Sequence, residues 1–177
     1  MGSEKKVVPI GFLTVPLADH SLAEVAKFGG ENEFEYLELA AWPEETSRGE
    51  GEAAYIANHL GDAKNFTQMM ADDINSTILK FGMNGISSLA FYENMLTADP
   101  SQREYFHSHF KNLVLAAEKL GVKHIGIFPG RNQTKTVDES LIEYGKVFPD
   151  LLKHAMDHGR EAMFENCPME GWFEGLP

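Results

Sequence analysis

Hydrophobic and polar positions along the chain switch repeatedly between a period of two and a period near 3.6, and the switches predict five strands separated by helices. An apolar run from Val7 to about Thr14 predicts the first strand, with Pro9 tolerated near its start. Ser21-Leu22-Ala23-Glu24 reads as a capping box that opens a helix, and Gly29-Gly30 is expected to close it. Phe34 to Ala40 alternates apolar and acidic side chains, a second strand with Glu38 near its C-terminal end, broken by Trp42-Pro43. Residues 43 to 61 lack periodicity and predict a long loop. Phe66, Met70, Ile74, Ile78 and Phe81 recur at helical spacing between Asp62 and Phe81, with Gly82 as the stop.

The second half repeats the alternation. Ile86 to Ala90 predicts the third strand, with Tyr92 and Asn94 in the loop after it. Asp99-Pro100 starts a helix whose buried stripe runs from Phe106 to Leu120, ended by Gly121. Val122 to Phe128 is the fourth strand, closed by Pro129-Gly130. Thr136-Val137-Asp138-Glu139 forms another capping box, and the helix it opens carries Pro149 inside its pattern. Glu161 to Glu165 is the fifth strand.

Strand and helix alternating in this way imply an α/β fold with parallel strands and right-handed crossovers. Two architectures satisfy the pattern: part of a (β/α)8 barrel with about five βα units, or a complete five-stranded doubly wound sheet. No linker or low-complexity stretch divides residues 1–177, which read as a single domain. A full barrel takes about 250 residues, so the barrel reading makes this 177-residue chain an N-terminal portion that stops after the fifth strand. Its first and fifth strands would then offer unpaired edges, to a missing C-terminal half or to a second copy in a homo-oligomer.

Charge and composition narrow the partners. Asp and Glu number 27 against 15 Lys and Arg, for a net charge of -12, which opposes nucleic acid. A single Cys excludes an internal disulfide, no signal-peptide core precedes the first strand, and no apolar run reaches the ~20 residues of a membrane span. A soluble cytoplasmic protein is expected.

In parallel α/β folds functional groups gather at the C-terminal ends of strands. That rule collects Thr14, Glu38, Trp42, Tyr92, Asn94, Arg131, Glu165 and Asn166. Glu165 follows an apolar strand, where a carboxylate is either paired or working. It is the candidate catalytic carboxylate and an oxygen ligand for a divalent ion, the alternative being a salt bridge to Arg131. Arg131 suits a phosphate or a sugar carboxylate, Trp42 a pocket wall, and Asn166 the turn after the strand or a place at the substrate. His107 and His109 are two apart on a helix and point to different faces. His154 and His158 sit in a last helical turn, where cations meet the helix dipole.

Three motifs carry a resemblance: Phe-Glu-Asn-Cys-Pro-Met (164–169), Ile-Ser-Ser-Leu-Ala-Phe-Tyr-Glu-Asn-Met-Leu (86–96) and Leu-Gly-Val-Lys-His-Ile-Gly-Ile-Phe-Pro-Gly-Arg (120–131). Together they resemble the sugar-phosphate isomerase/epimerase family of the xylose isomerase-like TIM barrels, which favours the partial barrel. The resemblance implies a divalent metal (Mn, Mg, Zn or Co) held by carboxylates and a His, with Glu165 as the first ligand and the others on later strands beyond this chain, leaving its metal site incomplete. It implies a small sugar or sugar phosphate as substrate, lined by Glu38, Tyr92 and Asn94, and aldose-ketose isomerisation or epimerisation that the 177 residues alone would not sustain. A dehydratase or hydroxy-acid isomerase on the same scaffold, or a non-catalytic assembly module, are the alternatives. The abasic-site endonucleases of the same superfamily use His at early strand ends, where this chain has Glu38 and Phe91-Tyr92.

Overall fold

The computed structural model describes residues 8–43 and 56–167. Five strands form one sheet: β1 (Gly11–Leu13), β2 (Tyr36–Ala40), β3 (Gly85–Asn94), β4 (His124–Phe128) and β5 (Glu161–Phe164). Four helices connect them: α1 (Leu22–Glu31), α2 (Gln68–Lys80), α3 (Pro100–Leu120) and α4 (Val137–Asp157). All neighbouring strands are parallel and lie in the order β1-β2-β3-β4-β5. A doubly wound sheet reverses direction at a switch point in the strand order. This sheet never reverses, so right-handed crossovers place α1 to α4 on one face and, among the described residues, leave the other bare of helices, as in a barrel wall. The doubly wound alternative is thereby overturned. Among the described residues, no helix is long and apolar enough to cross a membrane.

The core fills the layer between sheet and helices. Leu37, Leu39, Leu89, Phe91 and Ile125 from the strands meet Ile78, Phe110, Leu113 and Phe148 from the helices, all wholly buried. Capping follows the sequence closely. Ser21 and Glu24 close the capping box of α1, Thr136 and Glu139 that of α4, and Asp99 accepts from Ser101 and Gln102 at the start of α3. Gly121 ends α3 at φ 75°, where a side chain would be strained.

The first strand is shorter than the expected Val7 to Thr14, spanning only Gly11–Leu13, and three further elements depart from expectation. Gly29 and Gly30 do not end α1, which runs on to Glu31 with Asn32 as its cap. Their bare Cα atoms instead allow contact: a Cβ on Gly30 would collide with the backbone carbonyl of Phe81, and one on Gly29 with the Met83 thioether. The second helix begins at Gln68 rather than Asp62, because Asp62 folds back to accept from the amides of Lys64 and Asn65, leaving Thr67 as the cap. The third strand extends to Asn94, so Tyr92 and Asn94 belong to it rather than to the following loop. Part of the expected long loop, residues 44–55, lies outside the described residues.

Loops at the C-terminal face are tied together by one carboxylate. Glu143 on α4 accepts from Arg103 Nη1 at 2.6 Å and from Lys135 Nζ at 2.8 Å. Arg103 in turn donates to the carbonyls of Leu96 and Thr97, holding the loop after β3. Burial pushes the Glu143 carboxyl up, but the bonds from Lys135 and Arg103 outweigh it and hold it below the ordinary value. A lowered carboxyl contributes stability that is present above its unfolded pKa, about 4.3, and is lost as pH falls through the folded value. Glu143→Gln should therefore cost about 1–3 kcal/mol at neutral pH, with the difference from the native chain shrinking below about pH 4 in urea-unfolding curves.

Candidate active site

Side-chain alternation sorts the strand ends into two faces. Phe91 packs edge-on against Phe106 and His109 of α3, so it faces the helices. Tyr92, the next residue, faces the bare side. Phe164 likewise packs against Tyr144 and Phe148 of α4. Glu165 therefore turns toward the bare side, while its amide extends the ladder by donating to Ile127 at 3.1 Å.

A shift of register aims Tyr92 inward. Phe91 pairs with Ile127 and Asn94 with Phe128, so Tyr92 and Glu93 form a bulge with no partner on β4. The Tyr92 ring lies against Phe128, centroids 4.9 Å apart, and against Trp42 at 6.2 Å. Its hydroxyl donates to Glu38 Oε1 at 2.6 Å. Gly126 makes room for this bond, since a Cβ there would meet the Tyr92 hydroxyl and come within 3.1 Å of Glu38 Oε1. Burial first, then the bond to Glu38 and the charges of Glu38 and Glu165, push the Tyr92 hydroxyl far above the usual tyrosine range. The phenol thus stays a proton donor held between two carboxylates from β2 and from the end of β5.

The other candidates take different positions. Trp42 is 3% exposed, and its indole N–H donates to Glu93 Oε1 at 2.9 Å, so it braces the bulge from within the core. Asn94 accepts from the Leu96 amide and donates to the Arg131 carbonyl at 2.9 Å, pinning the loop after β3 to the loop after β4. Arg131 is buried and donates to the Lys135 carbonyl at 2.9 Å. Asn166 is exposed just beyond β5, as is Glu165 itself.

Sequence reasoning gave no role to His59. It is buried in the segment after β2, with Nδ1 2.9 Å from the Thr14 hydroxyl and Nε2 3.1 Å from the His20 carbonyl. Thr14 also accepts from the Ala40 amide at 2.9 Å. A carbonyl only accepts, so Nε2 carries the imidazole proton and Nδ1 accepts from Thr14. This chain of bonds ties the end of β1 to the end of β2. No local sequence signal marks it, because its members are 45 residues apart.

His107 and His109 bond separate carbonyls, Met95 and Ala41, as their spacing requires. The rings of His154 and His158 lie tilted against each other with centroids 4.9 Å apart, and His158 bonds Glu118. Among the described residues no group of three His, Cys, Asp or Glu converges on a metal position. Glu165 and Glu38 are hard oxygen donors suited to a divalent ion, but two carboxylates do not complete its coordination.

The profile of the family described as xylose isomerase-like TIM barrel matches residues 23–175. The chain belongs to that family. Among solved structures, D-psicose 3-epimerase with D-tagatose from Clostridium cellulolyticum H10 superposes with a TM-score of 0.61 at 15% identity, over 88% of this chain and 51% of that one. The IOLI protein with a bound zinc atom gives 0.60 at 15% identity, over 89% and 51%. A sugar phosphate isomerase/epimerase from Parabacteroides distasonis ATCC 8503 gives 0.54 at 15% identity, over 91% and 52%. At these identities the likeness is one of fold. The chain spans about half the length of these structures. No curated protein matches the sequence.

Proposed function

We propose that the chain contributes the N-terminal part of a sugar isomerase or epimerase site, with Glu165 as its catalytic carboxylate and metal ligand. The observation that carries this reading is the convergence of Glu38, Tyr92 and Glu165 on the bare face at the C-terminal ends of their strands. A small sugar or sugar phosphate offers hydroxyls to both carboxylates, while the rings of Tyr92 and Phe128 cover its C–H faces. Glu38, fixed by the Tyr92 hydroxyl, accepts a substrate hydroxyl proton at a set distance. Glu165 is open to solvent and reaches the substrate from the other side, placed to take a proton from a carbon next to a carbonyl. Asn94 and Arg131 shape the floor beneath them by locking the two neighbouring loops.

A divalent ion (Mn, Mg, Zn or Co), bound through Glu165 and ligands outside the described residues, would supply polarisation of the substrate carbonyl. The neighbours with zinc and with a sugar bound motivate this part of the reading. The isolated 177-residue chain should show no stoichiometric Mn2+ binding by electron paramagnetic resonance and no conversion of D-fructose. Tight equimolar Mn2+ binding by the isolated chain, abolished by Glu165→Gln, would contradict the division of the site between this chain and ligands elsewhere.

Apolar side chains at both sheet edges favour a second reading, in which the chain acts by assembly. Val8 and Ile10 beside β1, and Met163 and Phe164 on β5, are exposed. A defined dimer on size-exclusion chromatography supports that role, and a monomer at all concentrations removes it.

A further inference from the structure

A cavity lies away from the carboxylates, on the helix side of the sheet. It measures about 620 Å³ and opens between residues 61–65 and α3. Pockets for small ligands typically span about 300–1,000 Å³. His109 forms part of its wall and is 8% exposed. Its Nε2 lies 2.7 Å from the Ala41 carbonyl, so that nitrogen carries the proton. Nδ1 is left as an acceptor lone pair with no partner among the described residues, and burial lowers the imidazole pKa, which favours the neutral ring.

The rest of the wall is mostly polar, with Asp62 and Lys64 as its charged members. Asn112 lines the cavity with a partly buried amide that has no partner among the described residues, and Ser108 adds a hydroxyl. Asp62 is already engaged by the amides of Lys64 and Asn65 and by the Asn65 side chain at 2.7 Å. Tyr105, 41% exposed, supplies an aromatic face.

We propose that this cavity is a second binding site, on the opposite side of β3 from Tyr92, that takes a small neutral polyhydroxylated molecule. An acceptor at His109 Nδ1 calls for an O–H donor, and the Asn112 amide both gives and receives hydrogen bonds. The Tyr105 ring packs against aliphatic C–H groups. The net charge of -12 and the neutral imidazole weigh against an anion in the same space, and Asp62 on the wall offsets the charge of Lys64. His109 also touches Phe91, ring centroids 4.7 Å apart, so it stands between the cavity and the strand that carries Tyr92.

The test is a 1H–15N NMR titration of the 177-residue chain with D-glucitol and, separately, with sodium acetate. D-Glucitol should give saturable shifts at the amides of Lys64, Asn65, His109 and Asn112, and acetate none. Glu165→Gln should leave those shifts unchanged, so the result stands apart from the carboxylate site. Asn112→Leu, at a partly buried position, should weaken binding about tenfold while leaving the dispersed amide spectrum of the folded chain in place. A response that stays linear, acetate binding in place of D-glucitol, or shifts confined to the surroundings of Tyr92 overturns the proposal.

Discussion

Replacing Gly130 with alanine should lower the melting temperature by roughly 5–15 °C, from a loss of about 2–4 kcal/mol. Two costs combine at this position. Gly130 sits at φ 71°, in the left-handed region where an L side chain meets its own carbonyl. A Cβ there would also run into the Asn94 side chain and approach the Asn94 carbonyl carbon to 2.8 Å. Neither neighbour can retreat, because Asn94 is fixed by the Leu96 amide and the Arg131 carbonyl. Thermal melts of Gly130→Ala and Asn94→Ala, singly and together, measure the effect. The double variant should lose less than the sum of the singles, since removing Asn94 relieves part of the clash.

The second large effect falls on the candidate site itself. Gly126→Ala should cost about 1–3 kcal/mol by overpacking, and it should also break the 2.6 Å bond between Tyr92 and Glu38. The added methyl would overlap the end of the Tyr92 ring, with Cζ 2.9 Å away. The ring is held by Phe128 and Trp42 and has little room to move. Tyr92→Phe keeps that ring and removes only the hydroxyl, leaving Glu38 short of a donor at a cost of about 1–3 kcal/mol. In the Gly126→Ala background, Tyr92→Phe should cost clearly less than in the native chain, because the bond is already gone. Equal costs in both backgrounds would mean that Gly126 does not make room for this contact.

The helix caps and the succession of strands were legible because each depends on neighbours within four residues. Ser21 with Glu24, Thr136 with Glu139, and Asp99 before Pro100 needed no tertiary information. The glycines were harder to place. Gly29 and Gly30 look like a helix stop in the sequence, but their role is close approach to Phe81 and Met83, which lie on a distant part of the chain. The bulge at Tyr92 and Glu93 was hidden for a similar reason, since only the pairing of β3 with β4 reveals it. Glu38, Tyr92 and Glu165 were singled out from strand ends and family likeness, whereas the bond joining Glu38 to Tyr92 spans 54 residues and became visible only in the fold. The links from His59 to Thr14 and from His109 to Ala41 are equally non-local.

The shared position of the two carboxylates and the phenol is most directly tested by paramagnetic relaxation. Added in excess, Mn2+ should broaden the NMR signals of Tyr92, Phe128 and Met163 together with those of Glu38, and Glu165→Gln should restore them. Broadening centred on His154 and His158, or left intact by Glu165→Gln, would contradict a cation-accepting site on the bare face of the sheet.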